Sequence, residues 1–316
     1  MMASASARLL DRGARAGIFL VLLLLFATGA ASSPEFTTAD NLRNIVNQAA
    51  PLALLALGQT FVIAGGLIDL SVGQLMGLVT ILASDFMRGE PELALPALLI
   101  ALATGAAAGL ANAVLDRWLK IHPLILTFGM LSVLQGLIFA YTDQSVGQAS
   151  PAFIWLAGGA LLGVPVPLVL VGAFGILAHW LLMRTRFGLH LRAAGANPDN
   201  ARRAGVPVRR VRMLIFLLSG ISAGLAGILL TGRLGTGYPH AGTGFELDAI
   251  VAVVLGGTSL AGGRGSIIGT LAAVLALAIL GNLLNLLGIP AFTQTAIKGS
   301  IIVLAILIQQ PRAAAS

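Results

Sequence analysis

The sequence contains no cysteine, and only 10% of its 316 residues are charged. Without cysteine there are no disulfides, no thiolate metal sites and no cysteine nucleophile. The four histidines are scattered, and no HExxH pattern occurs. Soluble domains carry roughly 25% charged residues, so a chain with so few charges and 57% hydrophobic residues is not a soluble globular protein. These absences exclude a soluble enzyme, and they leave no motif for a metal site.

Long apolar runs take up most of the chain, whose mean hydropathy is +0.95. One membrane-crossing helix uses about 20 residues. Ten runs approach that length, which predicts an all-α polytopic membrane protein whose residues 1–316 form a single transmembrane domain. The runs cover residues 17–31, 45–64, 70–87, 93–115, 123–141, 164–183, 211–231, 247–261, 266–287 and 292–309.

Two of these runs leave the number of spans open. The run at 17–31 follows three arginines and ends in small residues, which is also typical of a signal peptide. We favour a retained first helix, because the rest of the chain is itself embedded in the membrane. The run at 247–261 is short, and eight spans result if it and one neighbour are re-entrant.

The basic residues predict the orientation of the chain. If the N-terminus is cytoplasmic, fifteen of the 19 Lys and Arg residues fall in cytoplasmic segments. This agrees with the excess of positive charge on that side of membrane proteins and places both termini in the cytoplasm. The net charge of +7 therefore indicates cytoplasmic-loop arginines, and a nucleic-acid partner is not expected.

The longest polar segment between two apolar runs covers residues 184–212. Asn197 followed by Pro198 is typical of a helix start, and Gly205 is typical of a helix end. A short capped helix on the cytoplasmic side suits the docking of a soluble partner. The alternative is an ordinary loop whose arginines contact lipid phosphates. The caps at both ends favour docking, because a charged tether needs no defined helix.

Asp69 lies between two apolar runs, beside Gly65-Gly66 and close to Ser71. A carboxylate at membrane depth costs about 2.5–3.5 kcal/mol on insertion scales, so it usually faces a cavity or a partner. The double glycine could interrupt the helix and free backbone groups for a pathway. The alternative, which the predicted topology favours, is that Asp69 caps the next helix at the cytoplasmic surface.

Neutral polar residues inside the apolar runs are further candidates for a translocation path. Such groups suit an uncharged polyol better than an ion, although each one taken singly is more often a helix–helix hydrogen bond. Together with Asp69 and Ser71, the path candidates are Gln59, Asn112, Asn282 and Asn285.

Residues 232–270 contain eleven glycines, and Glu246 and Asp248 stand where the 247–261 segment begins. The glycines favour tight turns and close helix packing, and the two acids are candidate helix caps. A phosphate-cradling loop would require GxxxxGK[ST], which the chain lacks. The protein is therefore not itself a P-loop ATPase.

Three blocks together resemble the ribose-type sugar permeases of bacterial ABC importers: ALGQTFVIAGGLIDLSVGQ (56–74), LRAAGANPDNARRAGVPVRRVR (191–212) and AGTGFELDAIVAVVLGGTSLAGGRGSIIGTL (241–271). The resemblance extends over roughly residues 36–310. It implies a permease in the bacterial inner membrane that works as two copies or with a paralogue. It also implies a cytoplasmic ATPase that uses ATP and Mg, and a periplasmic or lipid-anchored sugar-binding protein. This chain would bind no cofactor.

The resemblance also implies an ATPase-coupling surface between residues 194 and 205. Where the family pattern has Gly-Gly-Asn, this chain has Gly-Ala-Asn, a mild departure at Ala196. The family accepts pentoses, hexoses, polyols and furanosyl signals, so the resemblance does not fix the substrate. The coupling candidates are Ala194, Gly195, Asn197, Asp199, Ala201, Arg202 and Gly205.

Other functions remain as alternatives at this point. A secondary transporter driven by a proton or sodium gradient would use Asp69 and Lys298 as ion-coupling groups. The related branched-chain amino acid permeases share the general architecture, although GGLIDLSVG is more similar to the sugar branch. An intramembrane enzyme would need a nucleophile–base pair or a metal set, and the sequence shows neither.

Overall fold

The computed structural model describes residues 3–290, 292–294, 296–297 and 299–300. Most of the predicted last run, 292–309, lies outside the described residues, as does Lys298. The described part of the chain is mainly helical. Its helices are α1 (Ala3–Ser32), α2 (Ala39–Ala64), α3 (Val72–Met87), α4 (Ala94–Leu119), α5 (Pro123–Tyr141), α6 (Pro151–Gly158), α7 (Val166–Arg184), α8 (Arg186–Ala196), α9 (Pro198–Arg203), α10 (Val208–Leu234), α11 (Phe245–Leu255) and α12 (Ile267–Leu286).

The described residues form one small sheet, a hairpin of β1 (Ala160–Leu161) and antiparallel β2 (Val164–Pro165). The prediction of an all-α membrane protein is confirmed at this level. Six helical segments among the described residues are long and apolar enough to cross a membrane, and each contains or nearly coincides with one of the predicted runs. They are Ala39–Ala64, Pro91–Leu119, Pro123–Tyr141, Val166–Arg184, Val208–Leu234 and Ile267–Leu286.

Close contacts between backbones hold the central helices together. Helices α4 and α10 cross where Gly105 faces Gly220, and a Cβ added to either glycine would overlap the backbone of the other. Lipid tails are as apolar as leucine, so membrane helices associate through such close packing rather than through apolar burial. The larger apolar side chains of α4, α5 and α7 point outward instead, as Leu99, Phe128 and Ile176 do.

Two long helices, α2 and α10, are each followed in the bundle by a short helix, and we call each such pair of helices a broken span. Helix α2 ends at Ala64, and a turn through Gly66, with φ +74°, leads to the 16-residue α3. Helix α10 ends at Leu234, and residues 235–244 lead to the 11-residue α11. At 1.5 Å per residue α11 is about 16 Å long, about half of the 30 Å hydrocarbon core.

The starts of the two short helices meet. A Cβ added to Gly242, just before α11, would overlap the carbonyl oxygen of Gly73 in the first turn of α3. The interruption that Gly65-Gly66 predicts is therefore present. A second break follows the end of α11 at Leu255, within the glycine-rich stretch 232–270.

The two ends of the bundle are distinct. At one end, Asn41 of α2 and Asn282 of α12 exchange hydrogen bonds of 3.0 and 2.8 Å between their side-chain amides. At the other end, Ala64 of α2 touches Gly195 in the polar segment 184–212. Because Asn41 and Ala64 lie near opposite ends of the 26-residue α2, the two ends of the bundle are about 35 Å apart. We call them the asparagine end and the loop end.

Candidate coupling surface and translocation path

The polar segment forms two helices with matched caps. The side-chain oxygen of Asn197 accepts hydrogen bonds from the backbone N–H of Asp199 at 3.1 Å and of Asn200 at 2.9 Å, which caps the start of α9. At its end, Gly205 has φ +82° and its N–H donates to the Arg202 carbonyl, while the Val206 N–H donates to the Ala201 carbonyl. This is a Schellman end. The predicted capped helix is therefore present, with the predicted bounds.

The polar segment packs directly against both broken spans at the loop end. The turn after α2 approaches α8 so closely that a Cβ on Gly66 would lie 3.1 Å from the Gly195 carbonyl oxygen. The loop after α11 arrives at the same place, where the Gly263 N–H donates to the Ala64 carbonyl at 2.8 Å. Gly195 therefore lies in a three-way contact of backbones that admits no side chain.

The remaining coupling candidates divide into a buried face and an exposed face. Ala194 and Ala201 are buried, and Ala201 packs in one cluster with Val208 and Val211 of α10. Asp199 and Arg202 are exposed and form an ion pair of 2.9 Å. Helix α9 thus presents a polar surface outward while its other face packs against the start of α10.

Asp69 is the centre of a buried polar network. Its carboxylate accepts hydrogen bonds from the Ser71 N–H at 3.0 Å, the Ser71 hydroxyl at 2.6 Å and the Ser219 hydroxyl at 2.9 Å. The side-chain amide of Asn112 donates to the Ser71 hydroxyl at 2.9 Å. The structure therefore brings three of the path candidates together, and adds a residue that the sequence did not single out. Ser219 carries no distinguishing local pattern, since many membrane helices contain serine.

The position of Asp69 differs from that of a surface cap. The bond from the Ser71 N–H does resemble a cap of α3, but Asp69 is only 1% exposed. Ser219 lies eleven residues into α10, about 16 Å from the start of that helix. Asp69 therefore makes a capping contact at the start of α3, as the alternative predicted, but it does so while buried, because the turn after α2 carries it back into the bundle.

The other path candidates lie apart from this network. Gln59 is fully buried in α2, and neither polar atom of its side chain has a partner among the described residues. Asn282 is paired with Asn41 at the asparagine end. Asn285 is exposed and accepts a hydrogen bond of 2.8 Å from Gln294. The predicted path residues therefore occupy three separate places rather than one continuous face.

Glu246 lies at the junction of the two short helices, α3 and α11. Its position in the sequence indicated only the contact with α11. It was expected to cap α11, and one carboxylate oxygen does accept the Gly244 N–H at 3.3 Å. The other oxygen is buried against Gly73, without a partner among the described residues. The starts of α3 and α11 carry partial positive charge, so this carboxylate lies between two favourable helix ends.

No group of three or more His, Asp and Glu side chains that could hold a metal ion occurs in the part of the chain that the structure describes.

Comparison with known proteins agrees with the architecture. Residues 41–307 match the family model described as the branched-chain amino acid transport system / permease component. The ribose import permease protein RbsC of Escherichia coli K12 is 40% identical over 93% of this chain and 92% of its own length. The L-arabinose ABC transporter permease protein AraH of Azospirillum brasilense is 35% identical, over 94% and 88%. The D-allose transport system permease protein AlsC of Escherichia coli K12 is 32% identical, over 93% and 91%. No solved structure matches the chain.

A chain that has several membrane-spanning helices and matches this permease family over most of its length is a transport permease of the bacterial cytoplasmic membrane. The chain belongs to the branched-chain amino acid transport system / permease component family, among relatives of the ribose import type. The resemblance carried by the three sequence blocks is confirmed.

Proposed function

We propose that this chain is the permease subunit of an ATP-driven importer that moves a monosaccharide or related polyol into the cell. A cytoplasmic ATPase, which binds ATP and Mg, drives the cycle, and a periplasmic or lipid-anchored binding protein delivers the sugar. A second permease copy or a paralogue completes the path. The relatives are named as permeases for ribose, L-arabinose and D-allose, and these names favour a sugar over a branched-chain amino acid.

One observation supports ATPase coupling more than any other, namely the packing of Gly195 against the backbones of both broken spans. In the proposed cycle the ATPase binds the exposed face of α9 and moves it between two positions. Because α8 and α9 are fixed to the turn after α2 and the loop after α11, the motion reaches the junction of α3 and α11. Coupling requires that the ATPase contact differ between the two states.

The proposed topology has both termini and the segment 184–212 in the cytoplasm, and the asparagine end outside. Of ten spans, the second and third form one broken pair around Asp69. Helix α11 contributes a half-span, since its 11 residues are too few to cross alone. The whole chain acts as one transmembrane domain, with the coupling surface at residues 194–205 and a path that passes the Asp69 network.

The test is co-purification of the tagged chain from its native membranes, with ATP hydrolysis and sugar uptake measured. Gly205→Trp is expected to lower both while the chain remains in the membrane. Gly163→Trp is the matched control, because Gly163 also has positive φ and open space around it but lies in the β1–β2 turn at the asparagine end. Normal uptake by the Gly205 variant would count against the coupling surface.

A gradient-driven secondary transporter is the competing function. In that alternative Asp69 would be one of the ion-coupling groups. All the bonds of this carboxylate go to serine hydroxyls and a backbone N–H, and no basic side chain faces it among the described residues. Uptake that collapses with a protonophore while ATP stays high would favour that alternative. A chain that elutes without any ATP-hydrolysing subunit under several detergents would favour it too.

A further inference from the structure

Gln59 stands out among the buried polar side chains of the bundle. It is 0% exposed, and neither the oxygen nor the nitrogen of its side-chain amide has a hydrogen-bond partner among the described residues. The amide is able to donate two hydrogen bonds and to accept two. A buried polar group that lacks a partner lowers stability, so packing of the helices does not explain why an amide stands at this position.

The residues on either side of Gln59 show on which face of α2 it lies. Gly58 lies against Ser222 of α10, since a Cβ on this glycine would overlap the serine side chain. Thr60 is bonded to Thr270 of α12, with 3.0 Å between the two hydroxyl oxygens. Successive residues are about 100° apart around an α-helix, so Gln59 lies on the part of α2 between α10 and α12.

Helix α11 covers this part of α2. It packs against α2, α3 and α12, whereas α7 packs against the opposite side, where Leu57 shares a cluster with Ala178 and Leu182 of α7. From residue 249 to residue 255 helix α11 reads AIVAVVL, and none of these side chains donates or accepts a hydrogen bond. The amide of Gln59 therefore faces an apolar helix, which explains why it has no partner.

Gln59 also adjoins the Asp69 network, through which the proposed path passes. A Cβ on the neighbouring Gly58 would lie 3.4 Å from the Cα of Ser219, and the Ser219 hydroxyl donates to Asp69. Gln59 is five residues from the end of α2 at Ala64, about 8 Å from the loop end. Substrate sites of transporters are typically formed by interrupted helices, and here α2 and α11 each belong to a broken span.

We infer that Gln59 is a sugar-contacting residue of the translocation path, which α11 covers in this conformation and uncovers during transport. The inference rests on the proposed function and names one residue of its path. Once α11 moves away, the amide N–H groups donate to sugar hydroxyl oxygens and the amide oxygen accepts from a sugar hydroxyl. Because the amide has no protein partner to give up, these bonds favour the uncovered, sugar-bound state over the covered one.

The first experiment tests the covered state by the sign of a stability change. Gln59→Met nearly keeps the side-chain volume and removes both unpartnered polar atoms, so the detergent-solubilised chain should have a longer half-life at a fixed elevated temperature. Thr60→Val is the matched control and should shorten the half-life, because the Thr60 hydroxyl donates to the Ala56 carbonyl at 2.8 Å and contacts Thr270. A shorter half-life for Gln59→Met would show that the amide is bonded in this conformation, and the inference would be overturned.

The second experiment measures uptake of radiolabelled D-ribose, L-arabinose and D-allose by whole cells that carry variant chains with their native partners. Gln59→Met should lower uptake by about tenfold, as expected for the loss of one or two hydrogen bonds to the sugar, while the ATPase activity that co-purifies with the chain stays unchanged. Gln48→Met is the same change in the same helix. It should leave uptake within about twofold, because the Gln48 amide already donates to Asn44 at 3.1 Å. Equal uptake by the two variants would contradict a sugar contact at Gln59.

The third experiment uses the absence of cysteine from the chain. Gln59→Cys and Leu57→Cys place thiols at two positions of α2 that are both 0% exposed, the first beneath α11 and the second towards α7. A small thiol reagent should modify the Gln59→Cys chain severalfold faster in energised cells than in cells depleted of ATP. The Leu57→Cys chain should react slowly in both. Slow modification of the Gln59→Cys chain in energised cells would show that α11 does not uncover this position.

The outcomes separate the two hypotheses. Cells with the unaltered chain that take up none of the three sugars would contradict the proposed function, and with it this contact. Normal uptake by cells with the unaltered chain, together with normal uptake by cells with Gln59→Met, would overturn the sugar contact alone.

Discussion

Helix α2 and helix α7 show opposite relations between composition and burial. Of the six long spans in the described part of the chain, α2 is the least apolar and the most buried, whereas the more apolar α7 is mostly exposed. In a water-soluble protein the order would be reversed. The difference shows that lipid is the solvent here, so that apolar side chains face outward and small or polar residues hold the interior.

The glycines divide in the same way. Gly105 and Gly220 meet backbone to backbone in the interior, whereas Gly129 of α5 and Gly172 of α7 have no atoms within 4 Å of an added Cβ. Within a helix, a glycine is therefore required only where another helix or turn touches it. The following predictions test this contrast, from the largest expected effect to the smallest.

Gly195→Leu should have the largest effect. The new side chain would overlap the Ala64 carbonyl and crowd the Gly263 N–H, and backbone atoms on both sides cannot rotate away. We expect sugar uptake to fall to background and co-purifying ATPase activity to be lost. Gly172→Leu on the exposed face of α7 is the control for membrane insertion. Wild-type uptake by the Gly195 variant would show that the three-way contact is not needed for coupling.

Gly105→Leu should destabilise the bundle by about 1–3 kcal/mol or more, the usual cost of overpacking. Gly129→Leu, at a lipid-facing position, should cost nothing and could gain up to about 1 kcal/mol of helix propensity. The measurement is the half-life of the detergent-solubilised chain at a fixed elevated temperature. Equal half-lives for the two variants would break the contrast between interior and lipid-facing glycines.

Ser219→Ala should cost about 1–3 kcal/mol, because it leaves one oxygen of the buried Asp69 carboxylate without its hydrogen bond. Ser132→Ala is the matched control, since the Ser132 hydroxyl bonds only to the Phe128 carbonyl on the exposed side of α5. Thermal inactivation of the purified chain compares the two. A Ser132 variant that loses as much stability as the Ser219 variant would contradict the structural importance of the Asp69 network.

Asn197→Ala should have the smallest effect, about 1 kcal/mol, the usual cost of losing a helix cap. The expected result is a fewfold loss of ATPase recovered with the chain, with no loss of chain from the membrane. Asn197→Asp should restore recovery, because aspartate caps a helix equally well. Failure of this rescue would indicate that the amide itself contacts the ATPase.

Local patterns were sufficient where short-range chemistry decides the structure. Asn197, Pro198 and Gly205 predicted both ends of α9 because a cap needs only neighbouring residues. The break at Gly65-Gly66 was predictable for the same reason. The family could be predicted too, since the three blocks preserve its residue order.

Contacts between distant segments were not predictable in this way. The partnership of Asp69 with Ser219 joins residues that are far apart in sequence, and no local pattern marks the serine. The burial of Asp69 was not predictable either, because the course of the turn after α2 is set by its packing against α10 and α4.

The sequence by itself determined that this protein lies in a membrane, where helix α9 begins and ends, and which permease family it belongs to. These follow from hydropathy, caps and residue order, which act over one or two helical turns. The tertiary structure decided which glycines touch, where the broken spans meet, and which polar residues share a network. In a lipid solvent apolar character does not distinguish inside from outside, so only close packing assigns each helix its neighbours.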